Sequence, residues 1–181
     1  MTRPDEKTFP PLAVPVTAAD HARGPETAPV TLVEYGDYEC PDCFNMWPIV
    51  NRLIGEMGDG LRFVYRHFPL SGVHPRAAAA AEAAEAAAAQ NKFWAMHDQL
   101  FEHQKDIDVD HAKLALRAGL EIYKFEADIA SGRFAKKVRA DYDGGAKAGV
   151  TGTPTLFVNG ARYTGERTYE GVRAALERAA G

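Results

Sequence analysis

The chain is poor in cysteine: only Cys40 and Cys43 occur among its 181 residues. That is too few for a disulfide framework, and a structural zinc that needs four ligands finds no further cysteine to complete it. No long apolar run is present. The alanine-dense stretch 77–89 is broken by Glu82 and Glu85 and is only weakly hydrophobic, so it does not read as a membrane span. Basic clusters are absent as well, and the formal net charge is −4, which excludes nucleic acid as the main partner. There are no internal repeats. The start, MTRPDEKTFPPLAVP, lacks the apolar centre of a secretory leader. Read literally, it places the protein in the cytoplasm; a periplasmic or extracytoplasmic address follows if a leader was removed beforehand.

Hydrophobic residues are not scarce. They make up 46% of the chain, enough to build a core that needs no structural disulfide. Residues 1–12 read as a Pro-rich flexible tail, Ala13–Val16 as a short strand, and 17–29 as a turn-rich connector. Val30–Tyr35 has the β-branched and aromatic character of a buried strand, ended by Gly36-Asp37. Beyond Cys43, the residues Phe44, Trp47, Val50, Leu53, Ile54 and Met57 recur at helical spacing, with Pro48 expected to kink the helix. Leu61–Arg66 reads as a second core strand. The region 75–148 reads as all helical, beginning with an alanine helix favoured by propensity alone. Thr155–Asn159, the turn signal Asn159-Gly160 and Ala161–Tyr163 form a hairpin, and Tyr169–Ala180 a closing amphipathic helix. The expected class is α/β: a mixed sheet flanked by helices over 13–74 and 149–181, split by a helical insertion over 75–148.

The pair Cys40-Pro41-Asp42-Cys43 falls at a strand-to-helix junction. Pro41 suits a first helical position, because it has no hydrogen bond to lose there. Cys40 then sits at the helix N-terminus, where free N–H groups and the dipole favour a thiolate. Cys43, nearly one turn on, is within reach to displace a partner from a mixed disulfide on Cys40. Far along the chain, Thr153-Pro154 precedes a core strand. Such a bond is trans by default, and a cis bond would present the Thr153 backbone to an incoming peptide.

With VEYGDYECPDC, Pro48, the helical insertion and GTPTLFVNG, residues 28–180 resemble the thioredoxin superfamily and within it the DsbA-like branch. DHARGPETAPVTLVEYGDYECPDC and HFPLSGVHP are similar, more closely, to the thioredoxin-like domain that follows some bacterial sodium/proton antiporters. The resemblance implies that Cys40 is the exposed nucleophile and Cys43 the resolving thiol. It implies that Thr153-Pro154 is a cis-proline loop facing them, with Thr153, Pro41 and Asp42 on the substrate side. Glu34 matches a buried acid that passes protons to Cys43, with Arg66 or Tyr65 as its expected partner.

The chain departs from DsbA in having Asp42 where that protein has histidine. Asp42, Glu39 and Asp37 are expected to disfavour the Cys40 thiolate, giving a potential below DsbA's roughly −120 mV and nearer −200 to −270 mV. His67 and His74 flank a loop and read most simply as solvent-exposed side chains. The expected function is that of a soluble thiol-disulfide oxidoreductase acting on protein or peptide thiols. No metal or organic cofactor is called for, and glutathione or another small thiol would serve as reductant. A non-catalytic peptide-binding or redox-sensing module on the same fold is the alternative. Oligomeric state and the direction of net reaction are not written in these features.

Overall fold

Residues 9–106 and 110–181 are described by a computed structural model. Its centre is β2 (Val30–Gly36), whose apolar run suits a strand covered on both faces. It pairs in parallel with β3 (Leu61–His67) and antiparallel with β4 (Thr155–Val158). The parallel pair is joined by α1 (Pro41–Met57), as a crossover requires. An edge strand, β1 (His21–Arg23), lies antiparallel to β3, and β5 (Ala161–Arg162) closes a hairpin with β4. The order across the sheet is β1-β3-β2-β4-β5. The hairpin turn holds Asn159 and Gly160 at φ 46° and 81°, the left-handed pair that a two-residue turn demands.

Between β3 and β4, the described residues form five helices: α2 (Ala77–Ala88), α3 (Phe93–Glu102), α4 (His111–Arg117), α5 (Ile122–Ala130) and α6 (Ala135–Lys147). The chain ends in α7 (Tyr169–Ala180), capped by the Thr168 hydroxyl, which accepts from the Gly171 N–H. Strand alternation sorts the core into two layers. Val30, Leu32, Phe63 and Tyr65 pack with α1, α7 and the helices α2 to α5. Val33, Tyr35, Val64 and Phe157 face Phe68, Ala148, Val150 and, from the N-terminal segment, Leu12 and Val16. Most of α2 is buried, which explains its alanines: only small side chains let neighbours approach a helix from several sides.

Two expectations are corrected. Ala13–Val16 forms no strand; the carbonyls of Val14 and Pro15 instead accept from the Arg66 guanidinium. The edge strand lies inside the supposed connector, at His21–Arg23. Its sequence has no strand pattern, and its form follows from pairing with β3 and from Gly24, where a Cβ would stand 2.0 Å from the Leu61 carbonyl oxygen. Of the expected tail, 1–8 lie outside the described residues, while Leu12 N–H donates to the Gly160 carbonyl. Pro48 lies inside α1, which continues as one helix to Met57.

Candidate active site

Gly36 ends β2 where the Tyr65 ring folds across it; a Cβ there would lie 2.5 Å from that ring. The next residue, Asp37, shapes the turn into α1. Its buried carboxylate accepts from the N–H of Glu39 (2.7 Å) and of Leu70 (2.9 Å) and from His74 Nδ1 (2.8 Å), and its carbonyl accepts from Cys40 N–H. Two further groups hold the turn from the insertion side. Gln104 donates to the carbonyls of Tyr38 and Cys40, and Arg76 donates three times to Glu39. Nothing in their sequence context marks Gln104 or Arg76, because the contacts span more than thirty residues and exist only once the helices are docked.

Cys40 is the N-cap residue of α1, with Pro41 in the first turn, and its carbonyl accepts from the N–H of Cys43 and Phe44. Both cysteines are free thiols. The bond between Thr153 and Pro154 is cis, and the Cys40 thiol donates to the Thr153 carbonyl at 3.4 Å. Cys40, Cys43, Thr153 and Pro154 are thus brought to one place, with Pro41 and Asp42 exposed at its rim. Cys40 is less open than expected: 6% of its surface is exposed, against none for Cys43, because the Thr153 loop covers the sulfur.

The two thiols are driven apart in acidity. Hydrogen bonding from the Cys43 thiol, helped by Thr153 and by the N–H groups of Cys43 and Asp42, lowers the Cys40 pKa to about 5 against the opposing effect of burial. Among the described residues the buried Thr153 hydroxyl has no other partner, and it serves the thiolate. Burial, then the neighbouring Cys40, pushes the Cys43 thiol up. Glu34 is 3% exposed and is raised to about 8, first by burial and then by the charge of Cys40.

The expected partner Arg66 does not serve Glu34. Alternation along β3 turns Arg66 to the opposite face, where it pairs with Asp20 at 2.7 Å and donates to the Tyr35 hydroxyl. Tyr65 does share the face of Glu34, being its register partner, but its buried hydroxyl makes no hydrogen bond among the described residues. The expected repulsion of Cys40 by three acids is also corrected. Asp37 is paired with His74, Glu39 with Arg76, and Asp42 is 69% exposed with Arg167 3.8 Å away. Compensated or solvated carboxylates exert little field on a neighbour. Nor are the loop histidines surface residues: the His67 side chain is 1% exposed and that of His74 20%.

A sequence profile described as Thioredoxin matches residues 17–178. The chain belongs to the thioredoxin family. Within it the chain is DsbA-like: oxidised BdbD of Bacillus subtilis superposes with a TM-score of 0.79 at 25% identity, over 96% of this chain and 97% of that one. A thioredoxin-like oxidoreductase of Silicibacter pomeroyi gives 0.75 at 25% identity, over 90% and 93%. In sequence, this thioredoxin-family chain is 46% identical over 167 residues to the Na(+)/H(+) antiporter NhaA 1 of Salinispora arenicola. The match takes in 91% of this chain but 26% of the antiporter, so the chain spans about a quarter of the length of such curated relatives. Among the described residues, no helix is long and apolar enough to cross a membrane.

Proposed function

We propose that the chain is a thiol-disulfide oxidoreductase that exchanges disulfides with protein or peptide thiols through Cys40 and Cys43. The observation that carries this reading is the split between the two thiols: Cys40 at a helix N-terminus, acidic and beside the cis Thr153–Pro154 bond, and Cys43 wholly buried with its proton held tightly.

In the oxidising direction, a substrate thiolate attacks Cys40 Sγ of the Cys40–Cys43 disulfide. An S–S bond to substrate forms, the bond between the two cysteines breaks, and Cys43 leaves as a thiolate that takes a proton from Glu34. A second substrate thiolate then attacks the substrate sulfur, and Cys40 departs as the thiolate, stabilised by the helix N–H groups. The reducing direction runs these steps backward, with Glu34 accepting the Cys43 proton. During exchange, the Thr153 backbone beside the cis bond receives the extended substrate chain, and Pro41 and Asp42 form the rim it crosses.

Turnover separates this reading from the non-catalytic module. Catalysed reduction of insulin disulfides, or oxidation of a dithiol peptide, is expected from the intact chain. Binding of a peptide partner that is unchanged in Cys40→Ser and Cys43→Ser, with no turnover from the intact chain, would replace the enzyme by a module.

The potential is a second check. A Cys40 pKa of about 5 lies between the roughly 3.5 of DsbA and the roughly 7 of thioredoxin. Each pKa unit of thiolate stabilisation corresponds to about 30 mV for a two-electron couple. Counting about 1.5 units down from DsbA's −120 mV and about 2 units up from thioredoxin's −270 mV brackets the value between roughly −165 and −210 mV. A glutathione redox titration is expected to fall there, at the upper edge of the range read from the sequence or above it. A value below about −250 mV would mean that the Cys40 thiolate is not stabilised as described.

A further inference from the structure

Outside the exchange site, His21 of β1, His67 at the end of β3 and Glu85 of α2 converge. Nε2 of His21 and Nε2 of His67 both approach the same oxygen, Glu85 Oε1, at 2.7 and 2.8 Å. The three donor atoms all lie within 4.8 Å of one another, the one such group of three among the described residues. The side chains of His67 and Glu85 are 1% and 7% exposed; His21, 16% exposed, gives the cluster its opening to solvent. The His21 ring is fixed by stacking on Phe93 at 3.6 Å.

The protons of this cluster are awkwardly placed. A carboxylate only accepts, so each Nε2 facing Glu85 must carry hydrogen when no ion is present. The other ring nitrogen of His67, Nδ1, is buried with no hydrogen-bond partner among the described residues. The rings of Tyr38, Tyr65 and Phe93 stand around His67, with centroids 5.7 to 6.0 Å from its own. Ring faces receive an N–H better than a lone pair. Placing the hydrogen on Nδ1 turns the Nε2 lone pair toward Glu85, and two acceptors then face each other at 2.8 Å. A proton on Nε2 or a metal ion between the two atoms resolves that contact, and two imidazole nitrogens converging with a carboxylate oxygen are a donor set that a metal ion takes.

We propose that His21, His67 and Glu85 form a binding site for a divalent transition-metal ion, of which Zn2+ is the best match. Two imidazole nitrogens and one carboxylate oxygen suit zinc and its neighbours in the first row rather than Mg2+ or Ca2+. Three protein ligands leave a fourth position for water on the His21 side. Metal–ligand bonds of about 2.0–2.2 Å set the donor atoms of a tetrahedral ion roughly 3.3–3.6 Å apart. The two His–Glu contacts of 2.7 and 2.8 Å must therefore open, by movement of His21 on its three-residue edge strand and by rotation of the Glu85 side chain. Bound there, the ion ties the edge strand to the end of β3 and to the insertion helix α2. Its ligands include neither cysteine and are too scattered along the chain for any spacing motif to expose.

The test is a calorimetric titration of the chelator-stripped full chain with Zn2+, using Cys40→Ser/Cys43→Ser protein so that no thiol competes. We expect one equivalent bound with Kd on the order of 1 µM or tighter, a raised Tm, and visible Co2+ absorption when cobalt replaces zinc. His21→Asn, on the part-exposed edge strand, is expected to weaken binding by at least about tenfold and to cancel the rise in Tm; Glu85→Gln serves as a second ligand variant. No heat and no change in Tm at about 100 µM Zn2+ would reduce the cluster to a hydrogen-bonded triad. Binding that is unchanged in His21→Asn and Glu85→Gln would place the metal elsewhere. Either result overturns the proposal.

Discussion

Cys40→Ser is expected to lower catalysed disulfide exchange by about a thousandfold or more, whereas Cys43→Ser is expected to accumulate a mixed disulfide on Cys40. The asymmetry follows from the two environments. A serine hydroxyl does not ionise near neutral pH, and Cys43 cannot substitute for Cys40, being fully buried with its thiol pushed up. With a pKa of about 5, Cys40 is about 99% thiolate at pH 7. An ordinary cysteine is a few per cent ionised there, so ionisation contributes a factor of roughly 30 to 100. Intrinsic nucleophilicity falls with pKa at a Brønsted slope of about 0.4–0.5, which takes back a factor of similar size over four units. Attack by Cys40 is therefore scarcely faster than by an unperturbed thiol. The gain lies in departure, since a stabilised thiolate is the better leaving group from a mixed disulfide. This favours release of an oxidised substrate, and it requires the Cys43→Ser adduct to be trapped without free small thiols. Insulin or dithiol-peptide turnover, with mass spectrometry of the adduct, checks both variants. Cys40→Ser activity above a tenth of that of the intact chain, or no adduct on Cys43→Ser, would refute this division of labour.

The helix dipole, the Cys pair and the order of elements were legible because each is local. Pro41 at the first helical position, apolar residues at helical spacing after Cys43 and the Asn159-Gly160 turn all act within a few residues. What could not be read depends on distant groups meeting. The acids around Cys40 look repulsive in the sequence, but they are balanced by His74 and Arg76, more than thirty residues away. The edge strand His21–Arg23 exists only because β3 is there to pair with it. Burial of His67 and closure of the Thr153 loop over Cys40 belong to the same kind: a residue's surroundings, unlike its propensity, are set by the whole fold.

Glu34→Gln is expected to stabilise the reduced protein above about pH 5 while slowing its chemistry. The folded state raises the Glu34 pKa from 4.5 to about 8, because no cation offsets its burial and the Cys40 thiolate lies nearby. Between those two values the folded chain holds a proton that the unfolded chain has released. The Glu34 contribution to stability therefore falls as pH rises through this window, by up to about 1.4 kcal/mol per unit, and levels off above pH 8; the lowered Cys40 thiol contributes the opposite slope above about pH 5, so the Glu34 effect is read as the difference between variant and intact chain. Glutamine removes the titration. Its advantage is small below about pH 4.5, reaches about 3 kcal/mol at pH 7 and raises Tm there by roughly 6–12 °C. The same substitution leaves the Cys43 thiol without its proton acceptor. Cys43 is buried beneath Cys40, where solvent base does not reach, so resolution of a mixed disulfide is expected to slow by about a hundredfold. In the intact chain that step should accelerate with pH around an apparent pKa near 8, a value belonging to Glu34 and Cys43 together. Thermal unfolding from pH 5 to 9 and quenched-flow resolution rates measure the two halves. A variant with an unchanged pH slope of stability would show that Glu34 is not held protonated by the fold. Unchanged resolution would show that Cys43 loses its proton by another route. Both effects together would mean that the fold keeps a costly buried acid because the inner thiol cannot be ionised without it.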